Sequence, residues 1–208
     1  MTIVIVDYKC GNIHSVYKAV TKVSSRNVKV SDNIADLRTA SHIILPGVGS
    51  FGYCRDNINA ELADELVRQA LTVGKKFLGI CVGMQLLTKG STEYDQGSTG
   101  LNIFPQLEVT KLSDQNGNLV IPHMGWNNIR VVQHDHPVLS GIDNKYMYFV
   151  HSYAIKIANS DFLDIACYCD YGERFAAVIA KDNIIATQFH PEKSGNNGLK
   201  LLDQFLLW

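Results

Sequence analysis

The chain has 208 residues, 46% of them hydrophobic and 19% charged, with a formal net charge of −1. That composition fits one soluble globular domain spanning residues 1–208, with a sizeable core and little room for a second full domain. Scattered Lys and Arg give no electrostatic footprint for nucleic acid, and no apolar stretch approaches the ~20 residues of a membrane span.

The N-terminal run Thr2-Ile3-Val4-Ile5-Val6 meets Asp7 at once and lacks the basic start and long apolar core of an export signal. The five cysteines, Cys10, Cys54, Cys81, Cys167 and Cys169, are an odd set without framework spacing. Together these features point to reduced thiols in the cytoplasm.

The first half alternates β-branched runs with helical patterns, the signature of a parallel sheet with crossover helices. Strands are expected over 3–6, 28–31, 42–45 and 76–80. Between them Ile13, Val16, Tyr17 and Val20, then Leu62, Leu66 and Leu71, recur at helical spacing and should pack on the sheet. From about Leu107 the texture becomes strand-like, with runs expected over 108–112, 119–121, 128–132, 146–153, 165–168, 175–180 and 184–189. Lys181-Asp182-Asn183 reads as a hairpin turn between the last two. A final helix carries Leu199, Leu202, Phe205 and Leu206 on one face. The implied fold is α/β: an open, mostly parallel sheet flanked by helices and extended by antiparallel strands. Its ligand crevice should lie at the carboxyl ends of the parallel strands.

Gly79-Ile80-Cys81-Val82-Gly83 ends a predicted strand and precedes a predicted helix, Met84-Gln85-Leu86-Leu87. Small residues on both sides of a nucleophile permit a strained strand-to-helix elbow that lifts the side chain out of the sheet. A helix N-terminus there would favour thiolate. The bland alternative is a small buried residue at a strand end, as free cysteines often are. Phe189-His190-Pro191-Glu192 supplies what a thiol nucleophile needs, a base and a carboxylate to hold the base's tautomer. Alone, a His-x-Glu is more often an ordinary surface loop. Pro46-Gly47-Val48-Gly49-Ser50-Phe51-Gly52 is a glycine-rich turn after an apolar strand. It lacks the Gly-Lys-Ser/Thr ending of a phosphate loop, which favours an oxyanion hole made of backbone N–H groups.

Taken jointly, Gly79-Ile80-Cys81-Val82-Gly83-Met84-Gln85 and Phe189-His190-Pro191-Glu192 resemble the class I, triad-type glutamine amidotransferases. Within that class four stretches resemble the glutaminase subunits of imidazole glycerol phosphate synthases. They are the 46–52 loop, Pro122-His123-Met124-Gly125-Trp126-Asn127, Tyr148-Phe149-Val150-His151-Ser152-Tyr153 and His190-Pro191-Glu192-Lys193-Ser194. The likeness runs from Asp7 and Gly11-Asn12 to the last helix.

The resemblance implies that Cys81 attacks the side-chain amide of glutamine, His190 moves the proton to departing ammonia and Glu192 orients His190. It implies an oxyanion hole from the backbone of Val82 and of Val48 or Gly49, and glutamine contacts from Gly47, Gly49, Gln85, Ser152 and Tyr153. It further implies a heterodimer with a (β/α)₈-barrel cyclase subunit, met by Asn12, Pro122, His123, Met124, Trp126, Asn127 and Lys193, which uses the ammonia in histidine biosynthesis. Its products would be imidazole glycerol phosphate and an aminoimidazole carboxamide ribonucleotide. No cofactor or metal is implied. Two positions depart from the pattern, Lys9 where the family commonly has glycine and Val82 where it has leucine.

Cys167 and Cys169 lack a partner set at zinc-like spacing and read as strand packing. His134 and His136 read as solvated, Glu173 and Arg174 as a turn. Three other readings stand beside the leading one. They are a paralogous glutaminase feeding another acceptor, such as a surface-sugar amidating enzyme; a catalytically silent binding module; and a free-standing cysteine peptidase or deglycase.

Overall fold

Five parallel strands and the turns that leave them decide where the chemistry can sit. The structure is a computed structural model and describes residues 1–93, 98–113, 119–157 and 163–208. The first half runs β1 (Thr2–Val6), α1 (Ile13–Val23), β2 (Asn27–Ser31), α2 (Ile34–Thr39), β3 (His42–Gly47), α3 (Phe51–Asp56), α4 (Ala60–Val67) and β4 (Lys76–Cys81). A single helical turn, α5 (Val82–Gln85), follows β4. Then come β5 (Thr88–Ser91), β6 (Ser98–Thr99), β7 (Phe104–Lys111), β8 (His123–Asn128), β9 (Arg130–Val131), β10 (Tyr146–His151) and β11 (Tyr153–Ile155). The chain ends with β12 (Ile165–Tyr171), β13 (Glu173–Lys181), β14 (Ile184–Thr187) and α6 (Gly195–Leu207).

The main sheet has the order β2-β1-β3-β4-β14-β13-β12-β9. Its first five strands are parallel neighbours and the rest pair antiparallel. The chain passes from β1 outward to β2, then crosses to β3 on the other side of β1. That reversal opens a crevice at the strands' carboxyl ends, where the segments after β1, β3 and β4 converge. The parallel strands β1 and β3 are buried almost throughout, as strands covered on both faces must be. A second sheet of order β11-β7-β5-β6 and the ribbon β8-β10 stand beside the main one, while α6 packs on α1.

The expected fold class is found, with local differences. Residues 119–121 form no strand, and the run over 146–153 is two strands that part at Ser152, β10 pairing with β8 and β11 with β7. The short strands β5 and β6 carry polar residues and turn signals that hid them. Leu71 is 51% exposed rather than packed on the sheet. A π-helical turn over Arg68–Thr72 shifts the phase of the helix, so Gln69 and Ala70 face inward in its place. Tyr17 also lies at the exposed edge of its helix. The Lys181-Asp182-Asn183 turn joins β13 to β14, with Asp182 at φ 53°. Among the described residues no helix is long and apolar enough to cross a membrane.

Candidate active site

Cys81 ends β4 at φ 55° and ψ −111°, a backbone conformation L-residues rarely adopt. The flanking glycines make this turn possible. A Cβ on Gly79 would meet Gly83 O at 2.9 Å and Met84 Cα at 3.0 Å, and one on Gly83 would fall on the Leu45 carbonyl oxygen. The elbow is therefore packed backbone against backbone. The helix after it is a single turn, Val82–Gln85, starting two residues earlier than expected, so its dipole gives the thiol less help than a full helix would.

Register brings the second element in. β14 runs parallel to β4 with Thr187 opposite Ile80, so the chain leaving β14 passes beside Cys81. Gln188 comes first, its Nε2 donating to Cys81 Sγ at 3.7 Å. His190 follows, its main chain clamped by His190 N–H to Tyr148 O at 3.0 Å and by Ser194 Oγ–H to His190 O at 2.6 Å. Its Nδ1 lies 2.8 Å from Glu192 Oε1, with both side chains almost wholly buried. Nε2 has no hydrogen-bond partner among the described residues. Burial works against charge on His190, but the nearby Cys81 sulfur and the Glu192 carboxylate outweigh it and hold the imidazole above its ordinary value.

A cavity of about 550 Å³ opens over this pair, lined by Cys81, Val82, Gln85, His190, Val48, Gly49, Ser152 and Tyr153. Eight of the residues expected to act on or hold a substrate thus share one space. Gly47 is the exception: it pairs with Cys81 in the β3–β4 ladder, and a Cβ there would meet Gly83 N at 2.5 Å. It packs beneath the cavity and does not line it. Gln85 Nε2 donates to Tyr153 O and to Gln188 Oε1, both at 3.0 Å, tying α5 to β11 and to the segment after β14.

Asn12, Pro122 and Lys193 lie at the cavity lining as well. Met124 and Trp126 are 63% and 54% exposed on β8. Asn127 is half-buried and donates from Nδ2 to Asp170 O at 3.1 Å. His123 does not reach the surface expected of it. It is buried, stacked on Tyr171 at 3.9 Å and on Phe149 at 4.9 Å between ring centroids, because alternate residues of β8 face inward.

Sequence reading missed Gln188, His151 and Glu93. The first two are buried polar residues inside apolar strand runs, a signal that gains meaning only once the register is known. Glu93 lines the cavity and accepts from Phe51 N–H at 2.6 Å, at the start of α3. Cys167 and Cys169 are fully buried in β12. Among the described residues no cluster of His, Cys, Asp and Glu could hold a metal ion.

The family model for glutamine amidotransferase class-I matches residues 4–207. The chain belongs to the class-I glutamine amidotransferases. This amidotransferase is 42% identical to imidazole glycerol phosphate synthase subunit HisH 2 of Nitrobacter winogradskyi, over 99% of this chain and 98% of that protein. It is 44% identical to subunit HisH 1 of Campylobacter jejuni, over 98% of each. Among solved structures it resembles a glutamine amidotransferase at TM-score 0.72 and 16% identity, covering 98% of this chain and 97% of that one. It also resembles PurLQS from Thermotoga maritima at TM-score 0.71 and 18% identity, covering 99% of this chain and 97% of that one. The solved structures share the fold of this class-I amidotransferase.

Proposed function

We propose that residues 1–208 form one glutaminase domain, the glutaminase subunit of an imidazole glycerol phosphate synthase. The observation that carries the chemistry is one cavity lined by Cys81 at a strained elbow and by His190 with Glu192 behind it. The specific assignment is supported by relatives above 40% identity over nearly the whole chain that bear that name.

Cys81 Sγ attacks the side-chain amide carbon of glutamine, forming a C–S bond. The carbonyl oxygen takes the negative charge and is held by the N–H groups of Val82 and Gly49. His190 gives its Nε2 proton to the amide nitrogen, the C–N bond breaks and ammonia leaves. His190 then takes a proton from water, whose oxygen attacks the thioester. The C–S bond breaks, glutamate departs and the thiolate is restored. Glu192 keeps Nδ1–H in place throughout, so Nε2 faces the reacting atoms. Ser152, Tyr153, Gln85 and Gly49 hold the amino-acid end of the substrate, and the Glu93 carboxylate suits its α-ammonium.

The exposed pair Met124 and Trp126, with Pro122, Lys193, Asn12 and Asn127, forms the docking face for a (β/α)₈-barrel cyclase subunit in a heterodimer. That partner uses the ammonia in histidine biosynthesis, and a closed route protects it from protonation. The fitting compartment is the cytoplasm. A Cys81→Ala variant should release no glutamate from glutamine, and turnover at the wild-type rate would overturn the assignment. Rescue of a histidine auxotroph separates this reading from a paralogue serving another acceptor, which would fail to rescue.

A further inference from the structure

We propose that Cys54 is a positioning residue for the oxyanion loop: its buried thiol holds the Val48 carbonyl and so aims the Gly49 N–H at the reacting amide oxygen. This inference rests on the glutaminase reading above. Cys54 lies on α3, is fully buried and stands outside the cavity lining. Its Sγ–H donates to Val48 O at 3.3 Å. Val48 and Gly49, by contrast, line the cavity with Cys81.

A trans peptide is planar, so its C=O and the following N–H point in opposite directions. Holding Val48 O therefore fixes Gly49 N–H. The cavity gives that N–H its heading, because Gly49 lines it while Cys54 stands outside it. Cys54 sits with Tyr8 and Cys10, from the segment that follows β1, and Cys10 Sγ reaches Tyr53 O at 4.0 Å. A carbonyl drawn out of the cavity toward Cys54 leaves its partner N–H facing into the cavity.

Tyr8 repeats the device one step earlier, its hydroxyl donating to Pro46 O at 2.6 Å. Two buried donors thus pin alternate carbonyls of one short loop. Gly49 itself has φ +101° and open space where a Cβ would stand, and farther along the loop Phe51 N–H donates to Glu93. Burial, aided by Cys10, pushes the Cys54 thiol up to about 12. The group is accordingly a proton donor across the physiological range, not a second nucleophile.

The test uses Cys54→Ala, Cys54→Val and Cys54→Ser in the complex with the cyclase subunit. Steady-state glutamate release gives kcat and KM for glutamine. The rate of Cys81 alkylation by iodoacetamide, read by mass spectrometry, reports the nucleophile alone because alkylation needs no oxyanion hole. Losing an oxyanion donor outright costs about 10²–10³-fold, so misaiming one should lower kcat roughly tenfold in the alanine and valine variants. The fall in kcat should exceed any rise in KM, the alkylation rate should stay near wild type, and serine, which restores a donor of similar size, should recover most of kcat. Wild-type or higher kcat in Cys54→Ala, a loss serine does not repair, or slowed Cys81 alkylation would each overturn the role of Cys54. Glutamine turnover by Cys81→Ala would instead sink the glutaminase reading on which the inference stands.

Discussion

His123 Nδ1 lies 3.3 Å from His151 Nε2, across a cross-strand pair of the β8–β10 ribbon. His151 Nδ1 in turn lies 3.0 Å from Tyr153 O. A carbonyl accepts, so His151 carries its proton on Nδ1, and its Nε2 accepts from His123 Nδ1–H. This fixes both tautomers and ties β8, which carries exposed Met124 and Trp126, to the strand holding Tyr153. Burial lowers both imidazoles, His123 to about 4 and His151 to about 3. The unfolded chain takes up these protons below about 6.5 while the native state does not, so stability falls as pH drops from there toward 4. Denaturant unfolding at pH 7 and pH 5 should show that loss. His123→Phe should reduce it, leaving the share of His151, while costing about 1–3 kcal/mol at pH 7, because His151 Nε2 loses its donor.

The contact between Glu192 and His190 predicts a loss of rate without loss of fold. Glu192→Gln keeps the size of the side chain and removes the charge that steadies the imidazolium and its tautomer. We expect kcat to fall by about 10²-fold or more, with the far-ultraviolet spectrum unchanged. An unaltered kcat would remove Glu192 from the site.

Two glycines should fail in different ways. At Gly83 a Cβ would run into the Leu45 carbonyl, so Gly83→Ala should destabilise by about 3 kcal/mol or more, read by denaturant unfolding. At Gly49 there is space for a Cβ but φ is +101°. Gly49→Ala should fold, at a cost of about 1–3 kcal/mol, and lose glutaminase rate through the tilted loop.

Glu65 is buried and receives hydrogen bonds from Arg38, Arg68 and Gln69. Arg68 above all, against the opposing effect of burial, and then Arg38 and Gln69 hold its carboxyl down to about 2. A depressed carboxylate stabilises above its unfolded value near 4.5 and loses that contribution as pH falls toward 2. Glu65→Gln should cost about 2 kcal/mol at pH 7 and weaken the pH dependence of unfolding below 4.5, a comparison that urea titrations at pH 7 and 3.5 can make.

Trp126 stands more than half exposed beside Tyr148, ring centroids 5.9 Å apart. As a docking residue it should matter only in the complex. Trp126→Ala should weaken capture of the cyclase subunit by about 2 kcal/mol or more, measured by calorimetry, and leave the melting temperature of the isolated chain within about 2 °C.

What could be read from the sequence follows how local each requirement is. The elbow needs glycines at 79 and 83 because backbone must touch backbone there, and that need is written in neighbouring residues. The His190 and Glu192 pair is likewise local, two positions apart on one segment. The parallel strands showed as apolar runs because both their faces are covered. Leu71 was misplaced because a π turn is invisible to a helical count, and residues 119–121 because β-branched composition alone does not supply a pairing partner.

The sequence by itself determined the strained elbow at Cys81, the His190 and Glu192 pair and the family of sheet that carries them, since each depends on contacts along a few consecutive residues. Only the tertiary structure decided that β14 lies beside β4, so that Gln188 and His190 come to Cys81. It also decided that His123 faces inward and that Cys54 sits beneath the Val48 carbonyl. These are relations between distant segments, set by strand order and register, and no single stretch of chain contains them.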